Sequence, residues 1–366
     1  QQVHGQQHSK PRIVVFATAS GNPARTGARN VAALERYGAE AVLAPLVAPG
    51  APPIGQGAAA ELGSIAALVR DAQGIFFTGG DQARILNALR TASGAPNEVL
   101  QAIIQCYQRG GVLAGTSAGA AVMSRIAYRD AEFVLPTLVD GVRMGKEVDY
   151  GLGVMHPDWF IDQHSLIRGR FARSLVVMRE YDFKFGLGID ENTALVIRGN
   201  DVRIVGYKGA ILIDASAAEK NADEPRFHWK KLKLSYLDRG DQFNLKTRTL
   251  TPSKEKLAEG KIDPASPDFK PYYQVPLHSN DMLGNTTLID MMVRLLDTRD
   301  SEGIGLAFDG HAARKQATPG FEFRLARGPG TVAWTTGAFG GEDTTVENVY
   351  LDVTPVTIGP LYPTRP

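Results

Sequence analysis

Short apolar runs and amphipathic stretches alternate along the first third of the chain. Ile13–Ala17, Ala41–Ala44, Gly74–Thr78 and Gly111–Ala114 are near-continuous apolar runs, and Arg29–Tyr37, Ala58–Val69 and Pro96–Gln108 between them carry a helical repeat. The spacing predicts consecutive β-α-β units. Strands that are apolar at almost every position are buried on both faces, so the pattern predicts a parallel sheet covered by helices, an α/β architecture. Ligands of such open sheets bind beyond the carboxyl ends of the strands, which here are Thr18, Thr78 and Gly115.

Beyond about Arg129 the alternation loosens. A helical stretch is expected over Ser165–Glu180, followed by β runs at Thr193–Ile197, Val202–Tyr207 and Ala210–Ile213 separated by hairpin-type turns, and by another strand at Leu232–Leu237. Thr249–Pro271, rich in Pro, Lys and Asp, reads as a linker or an exposed excursion. The remainder offers one amphipathic helix, Leu288–Leu296, and strands at Gly303–Phe308, Phe321–Leu325 and Val349–Val353. Three parts are therefore expected: a polar, disordered tail over 1–11, an α/β domain over 12–250, and a mixed α+β C-terminal extension over 251–366 packed on it.

With 43% hydrophobic and 22% charged residues among 366, the chain has an ordinary globular composition. A formal charge of +1 gives no global field toward nucleic acid or an anionic membrane, and no apolar run approaches the roughly 18 residues of a membrane helix, so neither partner is expected. The one cysteine, Cys106, lies in an apolar helical run and reads as a buried thiol. There is no His-Glu-x-x-His and no pair of cysteines, so no metal and no cofactor are expected.

The sharpest chemical signal is Val112-Leu-Ala-Gly115-Thr-Ser117-Ala-Gly119, an apolar strand running through Gly-x-Ser-x-Gly into a helical pattern. This is the sequence of a nucleophile elbow, in which a sharp strand-to-helix turn exposes a serine hydroxyl and small neighbours relieve the crowding. A serine needs a base, and the base needs an orienting acid. His164, in Asp162-Gln163-His164 at an expected helix start, is preferred to His156, which precedes a proline in a turn. In Gly188-Ile-Asp190-Glu191 either acid is placed to serve. The amides of Gly79 and Gly80, in Phe77-Thr-Gly-Gly-Asp-Gln82, and that of Ala118 are candidates for an oxyanion hole. A helix through the next segment would put His164 and Arg168 on one face, Arg170 and Arg173 on another, with guanidiniums that fork onto carboxylates.

The four motifs, Phe77–Gln82, Gly115–Ala120, Asp162–Arg173 and Gly188–Ala194, in this order resemble the motif set of the cyanophycinases, a serine-peptidase family that includes aspartyl dipeptidases. The resemblance covers about 12–248. It implies a class I glutamine-amidotransferase-like, flavodoxin-like fold, with Ser117 as nucleophile, His164 as base and Glu191 rather than Asp190 as orienting acid. It also implies substrate contacts from Gln82, Asp162, Gln163, Arg168, Arg170 and Arg173. The implied partner is cyanophycin, an aspartate-backbone polymer with arginine on every side-chain carboxyl, cut to β-aspartyl-arginine through an acyl-enzyme. A homodimer is expected.

Two features depart from the family pattern. Ser165 stands where an aromatic residue usually follows the histidine, which is expected to loosen a pocket wall. The extension past Thr251 looks like that of secreted bacterial members; together with a first residue, Gln1, that is not methionine, it sets the expectation of a secreted or periplasmic protein, with the cytoplasm as the alternative. An aspartyl dipeptidase and a non-catalytic polymer-binding homologue are the competing readings. Glutamine amidotransfer is disfavoured, because that chemistry places cysteine at the elbow.

Overall fold

The structure, a computed structural model, describes residues 10–54, 60–130, 133–221 and 223–361. The expected disordered tail thus lies outside the described residues apart from its last two positions, as does the start of the helix expected from Ala58. The chain forms two compact units, one made of residues up to 130 together with 143–157, the other of 131–142 and 158 onward.

In the first unit the predicted alternation is present. The elements are β1 (Arg12–Phe16), α1 (Pro23–Arg36), β2 (Glu40–Ala44), α2 (Leu62–Arg70), β3 (Gly74–Phe77), α3 (Gln82–Ala88), α4 (Glu98–Gln108), β4 (Val112–Gly115), the one-turn α5 (Ala118–Ala121) and β5 (Ile126–Tyr128). Helix α6 (Val134–Asp140) belongs to the second unit, and the chain then returns with β6 (Val148–Tyr150) to pair β5. β1 to β4 form one all-parallel sheet in the order β2-β1-β3-β4. The order reverses between β1 and β3, where the loops leaving neighbouring strands diverge and open a crevice at the carboxyl ends. Val14, Val15, Phe16 and Phe77 are fully buried, with the rings of Phe16 and Phe77 stacked at 5.2 Å. Helix starts are fixed by side chains that take orphan amides: Asn22 accepts from Arg25, Asp81 from Ala83, and Asn97 from Val99 and Leu100. Cys106 is buried on α4, and burial pushes its thiol above the ordinary value.

The second unit is mixed. Its first elements are β7 (Trp159–Gln163), α7 (Phe171–Glu180), β8 (Phe185–Ile189), β9 (Thr193–Arg198), β10 (Asp201–Gly206), β11 (Ala210–Asp214), β12 (Glu219–Lys220) and β13 (Trp229–Leu237). Next come β14 (Gln242–Asn244), β15 (Leu250–Thr251), α8 (Lys254–Glu259), β16 (Lys261–Ile262), β17 (Leu277–Ser279) and α9 (Thr287–Leu296). The last are β18 (Glu302–Phe308), β19 (Thr318–Ala326), β20 (Val332–Thr336) and β21 (Asp343–Ile358). A long sheet runs β17-β18-β19-β21-β13-β11-β8-β7, and β15-β14-β10-β9 form a smaller antiparallel one. Helix α9 buries Leu288, Met291, Met292, Leu295 and Leu296, the i, i+3, i+4 stripe that the sequence pattern implies.

Two expectations are corrected here. A boundary near 250 is not where the units divide: β13, before it, pairs along β21, after it, in one continuous sheet. Nor is 249–271 a linker. Lys256 on α8 is 0% exposed, with Nζ 2.9 Å from Asp241 Oδ1 and 2.9 Å from Thr345 Oγ1. A buried ammonium must be paired, and this pairing fastens the segment to β21.

Candidate active site

The residues singled out from the sequence fall into two sets. Gly79, Gly80, Gln82, Ser117 and Ala118 are in the first unit; Asp162, Gln163, His164, Arg168, Arg170, Arg173 and Glu191 are in the second.

Ser117 connects the end of β4 to α5 with φ 51° and ψ −115°. A side chain with a Cβ rarely occupies this region, and holding it there costs about 1–3 kcal/mol, supplied by the surrounding packing. That packing has no room for anything but glycine on either side. A Cβ on Gly115 would stand 2.2 Å from the Gly119 carbonyl oxygen, and one on Gly119 would stand 2.4 Å from that of Phe77. The strand, the following turn and the end of β3 are thus in backbone contact. Gly79, just past β3, lies against the serine: a Cβ there would be 3.1 Å from Ser117 Cβ and 3.7 Å from Oγ. Among the described residues no acceptor takes the amides of Gly79, Gly80 or Ala118, while the neighbouring amides of Thr78, Asp81 and Gly119 are all engaged. Gln82 is half-buried, its Nε2 reaching the Arg129 carbonyl at 3.4 Å.

In the second unit His164 directly follows β7 and is itself in the left-handed region, φ 55°. Its Nδ1 is 2.5 Å from Glu191 Oε1. Burial raises the Glu191 carboxyl, but hydrogen bonding and the charges of His164 and Arg168 overcome that and hold it below the ordinary carboxylate value. Glu191 is therefore ionised at neutral pH and can only accept, so Nδ1 carries the proton and Nε2 keeps its lone pair. Burial and, less strongly, the nearby Arg168 and Arg170 guanidiniums lower the imidazole, against the opposing pull of Glu191. The result is a neutral imidazole held in one tautomer. An NMR titration of the His164 ring is expected to give a midpoint below 6.5, and Arg168→Gln to move it upward by removing a repelling charge; a midpoint above 6.5 in the parent protein would contradict the arrangement.

The adjacent acid does something else. Asp190 is buried and accepts from the amides of Leu166 (3.0 Å) and Ile167 (3.3 Å), and burial pushes its carboxyl up to about 6. It holds the loop that follows the histidine. The helix expected from Ser165 begins only at Phe171: the intervening residues are turns, and Gly169 at φ 59° interrupts the helical run. Arg168 N still bonds the His164 carbonyl at 3.3 Å, a single helical turn, and Arg170 is the N-cap of α7, which carries Arg173.

Residues 56–205, a span holding every candidate named above, match the pattern of Peptidase family S51. The chain is 31% identical over 262 residues to the cyanophycinases of Trichormus variabilis and of a Nostoc species, an alignment spanning 68% of this chain and 80% of each relative. The chain belongs to peptidase family S51. A solved peptidase from an acI-B1 Actinobacterium superposes with a TM-score of 0.45 at 21% identity, covering 64% of this chain and 83% of that one. As a member of family S51 this protein is a serine peptidase.

Not every expected contact residue of this S51 peptidase is available. Asp162 and Arg173 are each 1% exposed and bound to one another, Nε to Oδ2 at 2.7 Å and Nη2 to Oδ1 at 2.8 Å. A planar guanidinium forked onto a carboxylate commits these two charges to each other in this structure, where the resemblance implied substrate contacts. Gln163 is buried, its carbonyl accepting from Arg170 Nη1 at 3.4 Å. Arg168 is exposed and Arg170 half-buried, the latter pushed down to about 10 by burial and by Arg173, still a cation at neutral pH. Ser165 lines no pocket wall: it is 0% exposed, and a Cβ on Gly188 would stand 2.2 Å from its Oγ, so this serine fills a space too small for an aromatic ring. Asp190 as a loop clamp escaped the sequence reading; its only signal was the pair of adjacent acids, whose side chains in an extended strand end point opposite ways.

Proposed function

We propose that this S51 peptidase is a cyanophycinase, cutting the aspartate backbone of cyanophycin from the chain end and releasing β-aspartyl-arginine. The observation that carries the reading is the His164–Glu191 pair, a neutral imidazole fixed in the tautomer a serine nucleophile needs. The 31% identity to cyanophycinases supports the substrate, and the sheet order β2-β1-β3-β4 suits the flavodoxin-like, class I glutamine-amidotransferase-like fold. In this reading the Ser117 turn is a nucleophile elbow. Ser117 Oγ attacks the scissile carbonyl while His164 Nε2 takes its proton, and Glu191 stabilises the imidazolium. The amides of Gly79, Gly80 and Ala118 receive the oxyanion. Collapse of the tetrahedral adduct expels the amine, which takes the proton back from His164; water, activated by the same imidazole, then hydrolyses the acyl-enzyme. Gln82, Arg168 and Arg170 are the residues left to hold the substrate's carbonyl and carboxyl oxygens.

The test is a product analysis. Incubation with insoluble cyanophycin is expected to clear the suspension and release a soluble species with the mass of aspartyl-arginine. Release of products only from short α-aspartyl peptides would make the protein an aspartyl dipeptidase instead.

A further inference from the structure

The loop that carries His164, Arg168 and Arg170 belongs to no strand, and it joins α7 only at its end. A segment without a hydrogen-bonded ladder of its own keeps its geometry only as well as its outside contacts fix it. Asp190 supplies one such contact, on the amides of Leu166 and Ile167. The others come from the C-terminal extension.

Residues 281–286, between β17 and α9, form a turn that meets this loop backbone to backbone. Gly169 has φ 59°, and a Cβ on it would stand 2.4 Å from the Leu283 carbonyl oxygen and 2.9 Å from Leu283 Cα. Only glycine fits there, on two counts: the left-handed conformation and the approaching chain. Nearby, the Leu166 carbonyl accepts from the Thr286 amide at 3.4 Å. Thr286 is itself left-handed, φ 60°, and its side chain makes no cap for α9. A threonine rarely occupies that region; held in it, this one gives its amide to the loop.

The turn is anchored on its other side. Met282 is 0% exposed, its amide donates to the Leu306 carbonyl at 2.8 Å, and its Sδ would stand 2.4 Å from a Cβ on Gly305, so it is seated directly on β18. The turn also closes on itself, the Gly284 amide donating to the Asp281 carbonyl at 3.2 Å. Beyond the loop, Phe323 of β19 meets Phe171, the first residue of α7, edge to face at 5.9 Å. The loop is thus held between Asp190 and a support rooted in the strands of the extension. Arg168 and Arg170 flank the point of contact, Gly169.

We propose that the 281–286 turn is a positioning element of the candidate active site: by holding Gly169 left-handed it sets the direction of Arg168 and Arg170 relative to His164, so that a segment outside the residues matching the S51 pattern is part of the site. The proposal takes from the function argued above only that His164 serves Ser117; the contacts stand apart from it. A displacement of about 1 Å in a group that must meet a reacting atom costs about 10²-fold in rate. Displaced guanidiniums also relieve the imidazole of their repulsion.

The test uses the full chain and two readouts, the rate at which a fluorophosphonate labels Ser117 and the NMR titration midpoint of His164. Gly169→Ala, which must push the loop off Leu283, is expected to slow labelling about tenfold or more and to move the midpoint upward, as Arg168 and Arg170 shift and the ring is less enclosed. Met282→Ala removes the anchor and leaves the loop's own sequence intact. It is expected to move both readouts in the same directions, and it decides the matter if Gly169→Ala does not fold. Leu295→Ala, a core truncation near the C-terminal end of α9, is expected to lower the urea midpoint and to leave both readouts at the parent's values. Parent values in folded Gly169→Ala or Met282→Ala would overturn the inference. So would Leu295→Ala moving the two readouts as far as Met282→Ala, since any loosening of the unit would then suffice. If the parent protein is not labelled at all, the functional reading fails, and the His164 midpoint in Met282→Ala still decides this inference.

Discussion

Ser117→Ala is expected to lower the rate of cyanophycin breakdown about 10⁴-fold or more, the size of loss seen when a serine nucleophile is deleted from a triad that works as a unit. Stability should hardly change, because alanine keeps the Cβ and the strained φ of 51°. Ser117→Gly separates the two consequences of the position. It removes the nucleophile equally but relieves the left-handed strain, so it should be inactive and more stable than the parent by about 1–3 kcal/mol. A serine-directed fluorophosphonate adds a direct readout of activation: it should label the parent at Ser117 and label His164→Ala far more slowly, since the hydroxyl is a poor nucleophile without a base. Equal labelling of the two proteins would show that His164 does not serve Ser117, whatever the polymer assay gave.

The elements that could be anticipated from the sequence are those set by local periodicity. The apolar runs became β1 to β4, buried through most of β1 and β3 although Val112 of β4 is exposed, and the stripe from Leu288 became α9, because continuous apolar runs and the 3.6 repeat are local signals. The Ser117 turn was legible for a related reason: backbone crowding leaves only glycine at 115 and 119, and a steric demand that strict writes itself into sequence. What was not legible are charges satisfied at a distance. Asp162 and Arg173, eleven positions apart, are substrate contacts by resemblance, yet here each buries the other, a pairing that no local pattern announces. The clamp of Asp190 on the amides of Leu166 and Ile167 is a contact across 24 positions that no local pattern announces. Lys256 belongs to the same class: a lysine in a Pro- and Lys-rich stretch looks like a linker residue until Asp241 and Thr345 close over it.

The buried Asp162–Arg173 pair is the place where a single substitution should damage the fold most. Removing one partner leaves the other charge enclosed without compensation, at a cost of about 3–5 kcal/mol. Asp162→Leu and Arg173→Met are each expected to shift the urea midpoint far down, and for Asp162→Leu the loss includes the acceptor of Gln163 N at 2.8 Å, immediately before His164. The double variant Asp162→Leu/Arg173→Met removes both desolvation costs and should recover much of the loss, so the midpoints should be strongly non-additive. Additive losses in the double variant would mean that the two groups stabilise the protein through separate partners. Activity offers the complementary measurement. If the pair serves only to anchor β7 to α7, the double variant should regain activity in step with its stability. A stable double variant without activity would return one of these two residues to the substrate.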